Sequence, residues 1–114
     1  VNGVCMNKTI QQRINEAVLQ MRISNRSGSH ENCLRLSPQS KGKHNDKIIE
    51  LCKEYLETGV KFYTEAIFHN GSRADIFLPA LNECIEVLNT ETDERFSQKI
   101  RKYPEVFKIV KVRI

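Results

Sequence analysis

Three acidic residues stand where the surrounding chain is apolar. Glu65 lies between Phe62 and Ala66-Ile67-Phe68, Asp75 between Ala74 and Ile76-Phe77-Leu78, and Glu86 between Cys84-Ile85 and Val87-Leu88. A carboxylate in such surroundings loses hydration and stays ionised only with a partner. A bound cation is the simplest partner common to all three. Oxygen donors alone select a hard ion such as Mg2+ or Mn2+. At a phosphodiester such an ion activates water and stabilises the developing charge. Asp75 and Glu86 are the expected ligands, with Glu65 holding the same ion directly or through water.

Each acid sits in a run of strand character, over about 60–69, 73–78 and 83–88. Asn70-Gly71-Ser72 between the first two runs is a hairpin signal. Pro79 ends the second run, and residues 80–82 form the next turn. Antiparallel neighbours joined by short turns bring Asp75 and Glu86 side by side. The alternative use of the same two residues is on an exposed strand face, paired with Arg73 or Lys108.

Helices flank these runs. Ile10, Ile14, Val18 and Met21, with Ala17 beside them, recur at helical spacing over about 8–23, with Asn7 or Thr9 as cap. This stripe packs on the core or on a partner. Ile48, Leu51, Cys52, Tyr55 and Leu56 mark a second helix over 44–58, stopped by Gly59. A third, over 91–103, starts at Thr90 or Thr92. It carries Asp93 and Glu94 early and Lys99, Arg101 and Lys102 late, as the helix dipole favours, and Pro104 closes it. Residues 107–114 alternate as a strand, parallel to the third because a crossover helix separates them. The expected class is α/β, a mixed β-sheet flanked by helices in the order α-α-β-β-β-α-β. Residues 24–43 make a long polar connection with Pro38 and Gly42.

At 114 residues the chain fits one domain. Residues 1–43 form an N-terminal helix and basic arm, and 44–114 the core. No apolar run approaches the ~20 residues of a membrane helix. The N-terminus lacks the apolar stretch of a secretory leader, so an intracellular protein with no membrane partner is expected. Cys5, Cys33, Cys52 and Cys84 are widely spaced, which argues against a disulfide framework or a zinc site with His30. Charge is uneven. Up to Lys47 there are eight bases and three acids, and beyond it ten bases and eleven acids. A basic front half beside an acidic cluster suits a polyanion held over a metal site. Arg26, Arg35, Lys41, Lys43, His44 and Lys47, with Arg73, are the candidate contacts to a nucleic-acid backbone.

The segments Arg73-Ala74-Asp75-Ile76-Phe77 and Ile85-Glu86-Val87-Leu88-Asn89-Thr90-Glu91 resemble the core of the PD-(D/E)xK nuclease superfamily, and the chain looks similar to its small archaeal or viral members. The likeness spans about 44–114, including the helix and Glu-bearing strand before Asp75 and the helix and strand after Glu86. It implies a restriction-endonuclease-like fold, with Asp75 and Glu86 as metal ligands and Glu65 as an accessory acid. It further implies Mg2+- or Mn2+-dependent hydrolysis of DNA, with RNA as a second candidate polymer. Small nucleases of this fold often act as homodimers, and the stripe of the first helix offers such a contact. Arg73-Ala74 stands where the family loosely keeps a Pro. The larger departure is Leu88, in the place of the family's Lys of Glu-x-Lys. In members where that Lys has migrated it comes from a helix, which implies Lys99 first and Gln98 second. Lys47, His44 and Glu91 are further substitutes. A module that kept the fold, lost the Lys and only binds nucleic acid or assembles is the alternative function.

Overall fold

The structure, a computed structural model, describes residues 9–21, 31–36, 42–89, 92–104 and 106–114. Helix α1 spans Ile10–Val18 and begins in a capping box, in which Thr9 Oγ1 accepts from Gln12 N (3.1 Å) and Gln12 Oε1 accepts from Thr9 N (2.9 Å). It ends five residues earlier than its stripe predicts. Past Leu19 the chain turns so that Met21 can bridge to Phe68. Helix α2 is Gly42–Thr58, and Gly59 follows at φ +77°, a left-handed stop. Helix α3 is Asp93–Ile100, capped by the Thr92 side chain on Arg95 N.

Strands β1 (Tyr63–Ile67), β2 (Arg73–Leu78), β3 (Glu83–Leu88) and β4 (Lys108–Arg113) form one mixed sheet in the order β1-β2-β3-β4. The first three are antiparallel neighbours, and β4 runs parallel to β3 after the α3 crossover. The β1–β2 turn is closed by Asn70, whose Oδ1 accepts from Ser72 N (3.0 Å) and Ser72 Oγ (2.7 Å), with Gly71 at φ +90°. The β2–β3 link is a 3-10 turn at Pro79–Leu81 followed by Asn82 at φ +51°.

Apolar residues cover both faces of the sheet. On one, Ile48 and Cys52 of α2 pack with Phe62, Ile76, Leu78, Ile85 and Val87. On the other, Ala17 and Met21 join Tyr63, Phe68, Phe77, Tyr103 and Phe107, with Phe68 and Phe77 edge to face at 5.2 Å. Ile14, Ala17 and Met21 of the first stripe are buried, the last two within this cluster, as the core reading of that stripe expects. Part of the long connection also finds a place. Phe62 N donates to Asn32 Oδ1 (3.0 Å), and Thr64 Oγ1 accepts from Arg35 N (2.7 Å), so 31–36 lies along the start of β1. Cys33, Cys52 and Cys84 are free thiols. Among the described residues no helix is long and apolar enough to cross a membrane.

Candidate functional site

The β2–β3 ladder sets the site. Its last paired residues are Ile76 and Ile85. One step further the strands part, and side chains replace the missing backbone bonds. Asp75 N donates to Glu86 Oε2 (2.9 Å), and Val87 N donates to Asp75 Oδ2 (2.9 Å). The two carboxylates are thereby locked next to each other at the point of separation. The alternative of two exposed acids paired with Arg73 or Lys108 is excluded, because Glu86 is 0% exposed.

An irregularity in the neighbouring pair adds the third acid. The pairs Thr64–Ile76 and Ala66–Ala74 place Glu65 opposite Asp75. Glu65 has φ +50°, costly for a residue with a Cβ. The face alternation resets here. Tyr63 and Ala66 lie in one core cluster, as do Phe77 and Ala74, although each pair is three residues apart. Backbone strain at a polar position in a sheet is the kind of outlier that marks functional sites.

Each acid meets a basic side chain. Glu65 lies 3.4 Å from Arg73 Nε, Asp75 Oδ2 lies 3.3 Å from His44 Nε2, and the Lys99 ammonium stands against Glu86 Oε1. His44 comes from the first turn of α2 and Lys99 from the last turn of α3, so helices on both sides of the sheet reach the acids. Burial, and then the charge of Asp75, push the Glu86 carboxyl above its usual range, and Lys99 opposes them. Burial also raises Glu65, against Arg73, with Asp75 raising it further. Tyr103 Oη donates to Arg73 O (2.6 Å), and burial beside Glu86 pushes its phenol upward.

Among the described residues no group of three or more His, Cys, Asp or Glu side chains is arranged to hold a metal ion. The shared three-carboxylate site expected from sequence is therefore reduced to the adjoining pair Asp75 and Glu86, with Glu65 turned to Arg73. Two oxygen donors still fit Mg2+, which commonly takes one or two carboxylates and fills its shell with water and substrate phosphate. Burial, and then the charge of Asp75, hold the Glu86 carboxyl up, and a cation between the two carboxylates would oppose both.

The other expected residues fall in three places. His44, Arg73 and Lys99 join the acids. Gln98 lines an adjoining cleft with Leu88, Arg95, Phe96, Lys99 and Lys102. Leu88 and Lys99 thus border one cavity, and the helix presents an ammonium where the strand carries an alkyl chain. Lys43 is exposed at the start of α2, Lys47 pairs with Glu50 (2.9 Å), and the Arg35 side chain is exposed. Arg26, Lys41 and Glu91 lie outside the described residues. Sequence reasoning missed Arg95 and Lys102 as basic residues that share a cleft with Lys99. The signal was present, since 95, 98–99 and 102 recur along one helix face. No family model, curated protein or solved structure matches the chain.

Proposed function

We propose that the chain is a metal-dependent nuclease of the restriction-endonuclease-like kind, hydrolysing DNA phosphodiester bonds. The observation that carries the reading is the adjoining pair Asp75 and Glu86 where β2 and β3 part, with Lys99 delivered to Glu86 from α3. Three antiparallel strands, a helical crossover and a parallel fourth strand support the same reading. Asp75 and Glu86 would hold the ion. Mg2+ or Mn2+ bound there would supply water activation and charge neutralisation at the phosphate. Lys99, half in water, presents its ammonium to the phosphate or to the attacking water, in the role that Leu88 cannot fill. Arg73, Arg95 and Lys102 border the same region and would hold the DNA backbone.

The test is cleavage of duplex, branched and single-stranded DNA with Mg2+ or Mn2+, alongside Mn2+ binding by calorimetry. Glu86→Gln and Asp75→Asn are expected to remove both metal binding and cleavage. Lys99→Met is expected to keep metal binding and lower the turnover by about 10²–10³-fold. Cleavage that survives Glu86→Gln would sink the proposal.

One observation favours a second reading. All three acids already meet basic side chains from the chain itself, a balance that suits a nucleic-acid-binding module without hydrolysis. Salt-sensitive DNA binding with no Mn2+ site would select it.

A further inference from the structure

Lys99 and Lys102 stand between two concavities. One, of about 360 Å³, is lined by Ile67, Gly71, Ser72, Arg73 and the two lysines. The other, of about 470 Å³, is lined by Leu88, Arg95, Phe96, Gln98 and the same lysines. Their chemistry differs. The first is a turn with a guanidinium beside it, suited to phosphate. The second has an aliphatic floor, since Leu88 is 2% exposed, and a half-buried aromatic ring. Lys111 Nζ lies over that ring at 5.3 Å from its centre, so one face of Phe96 is taken.

An apolar ring set among cations contributes little to a duplex backbone, which presents only sugar and phosphate. An unpaired base presents a π-face, and every base has one. Arg95, Lys99 and Lys102 recur at intervals of four and three on one side of α3 and its extension, spaced to follow consecutive anions. Gln98 adds a donor and an acceptor at the rim. The cavity volume falls within the usual range for a small organic ligand.

We infer that the Phe96 cleft binds an unpaired nucleotide of a single strand. The base lies against Phe96 and Leu88, its edge reaches Gln98, and the flanking phosphates meet Arg95, Lys99 and Lys102. Because Lys99 also touches Glu86, the strand that fills the cleft passes the acid pair. In this respect the inference rests on the nuclease reading and narrows its substrate to single-stranded DNA, or to a single-stranded tail on a duplex.

The experiment is fluorescence anisotropy in EDTA, with a short labelled oligothymidylate and a duplex of equal length. Phe96→Leu is expected to weaken oligothymidylate binding about tenfold, the loss of one stacked base. It should leave duplex affinity within about twofold, and Phe96→Tyr should retain both. In the wild-type protein, an iodouracil-bearing oligonucleotide should photocrosslink to the peptide containing Phe96. A Phe96→Leu loss shared equally by strand and duplex, no loss at all, or a crosslink elsewhere overturns the inference. Should Phe96→Leu fail to fold, the crosslink decides. Because EDTA removes hydrolysis, the two readings fail separately. Cleavage abolished by Glu86→Gln with no Phe96 effect leaves the nuclease without this cleft. A Phe96 effect without metal-dependent cleavage leaves a strand-binding site without the nuclease.

Discussion

Replacing Lys99 by Met isolates the electrostatics of the buried acid. Glu86 is fully buried, and the Lys99 side chain is 48% exposed. Breaking a fully buried ion pair costs about 3–5 kcal/mol, whereas exposed pairs contribute up to about 1 kcal/mol. A pair with one end in water falls between, at about 2 kcal/mol near neutral pH. For a chain of this size that lowers the melting temperature by about 8 °C. The pH dependence has a defined sign. In the folded protein Glu86 sits above its ordinary value of 4.5, through burial and then Asp75, against Lys99. Below that value it is protonated in both folded and unfolded states. As pH rises the unfolded carboxyl ionises first, the folded state holds more protons, and stability falls until the folded carboxyl ionises. Removing Lys99 raises the folded value further and extends the loss to higher pH. Thermal melts of the two proteins should therefore coincide below about pH 4 and separate toward pH 7. In a Glu86→Gln background the Lys99→Met change should cost less than about 0.5 kcal/mol. A melting difference equal at both pH values, or one that persists beside Gln, refutes the pairing.

Glu65→Asn should raise the unfolding free energy in urea by about 0.5–1 kcal/mol, because Asn tolerates the left-handed backbone. Gly59→Ala should destabilise by about 1 kcal/mol through backbone strain alone, since a Cβ there meets nothing within 4 Å and φ is +77°; chemical denaturation measures it. Alkylation followed by peptide mapping should find Cys33 modified quickly at mildly alkaline pH. Cys52, whose thiol burial pushes up to about 11, and Cys84, pushed higher still, should react only as the protein unfolds.

Local pattern was enough for the elements of this protein. Helical spacing located α2 within two residues of its observed start, and Asn70-Gly71 located the hairpin, because both signals act between near neighbours. The adjacency of Asp75 and Glu86 was legible for the same reason, as two short turns constrain which residues meet. Element ends were less legible. Val60–Phe62 read as strand but lie outside β1, and Phe62 N instead donates to Asn32, thirty residues away in sequence.

Near-neighbour patterns in the chain suffice for two helix-flanked hairpin steps that carry acids into an apolar sheet. How those acids balance their charge follows from the packed fold. Net charge counted along the chain placed the basic surface in its first half, yet among the described residues the basic side chains against the acids are His44, Arg73 and Lys99, from one helix, a strand and another helix. Glu65 was expected to share an ion with its two fellow acids; it lies opposite Asp75 and pairs with Arg73. The reason is that Coulomb attraction depends on distance in space. That distance is set by how each helix is rotated and seated on the sheet, which follows from packing of the whole core.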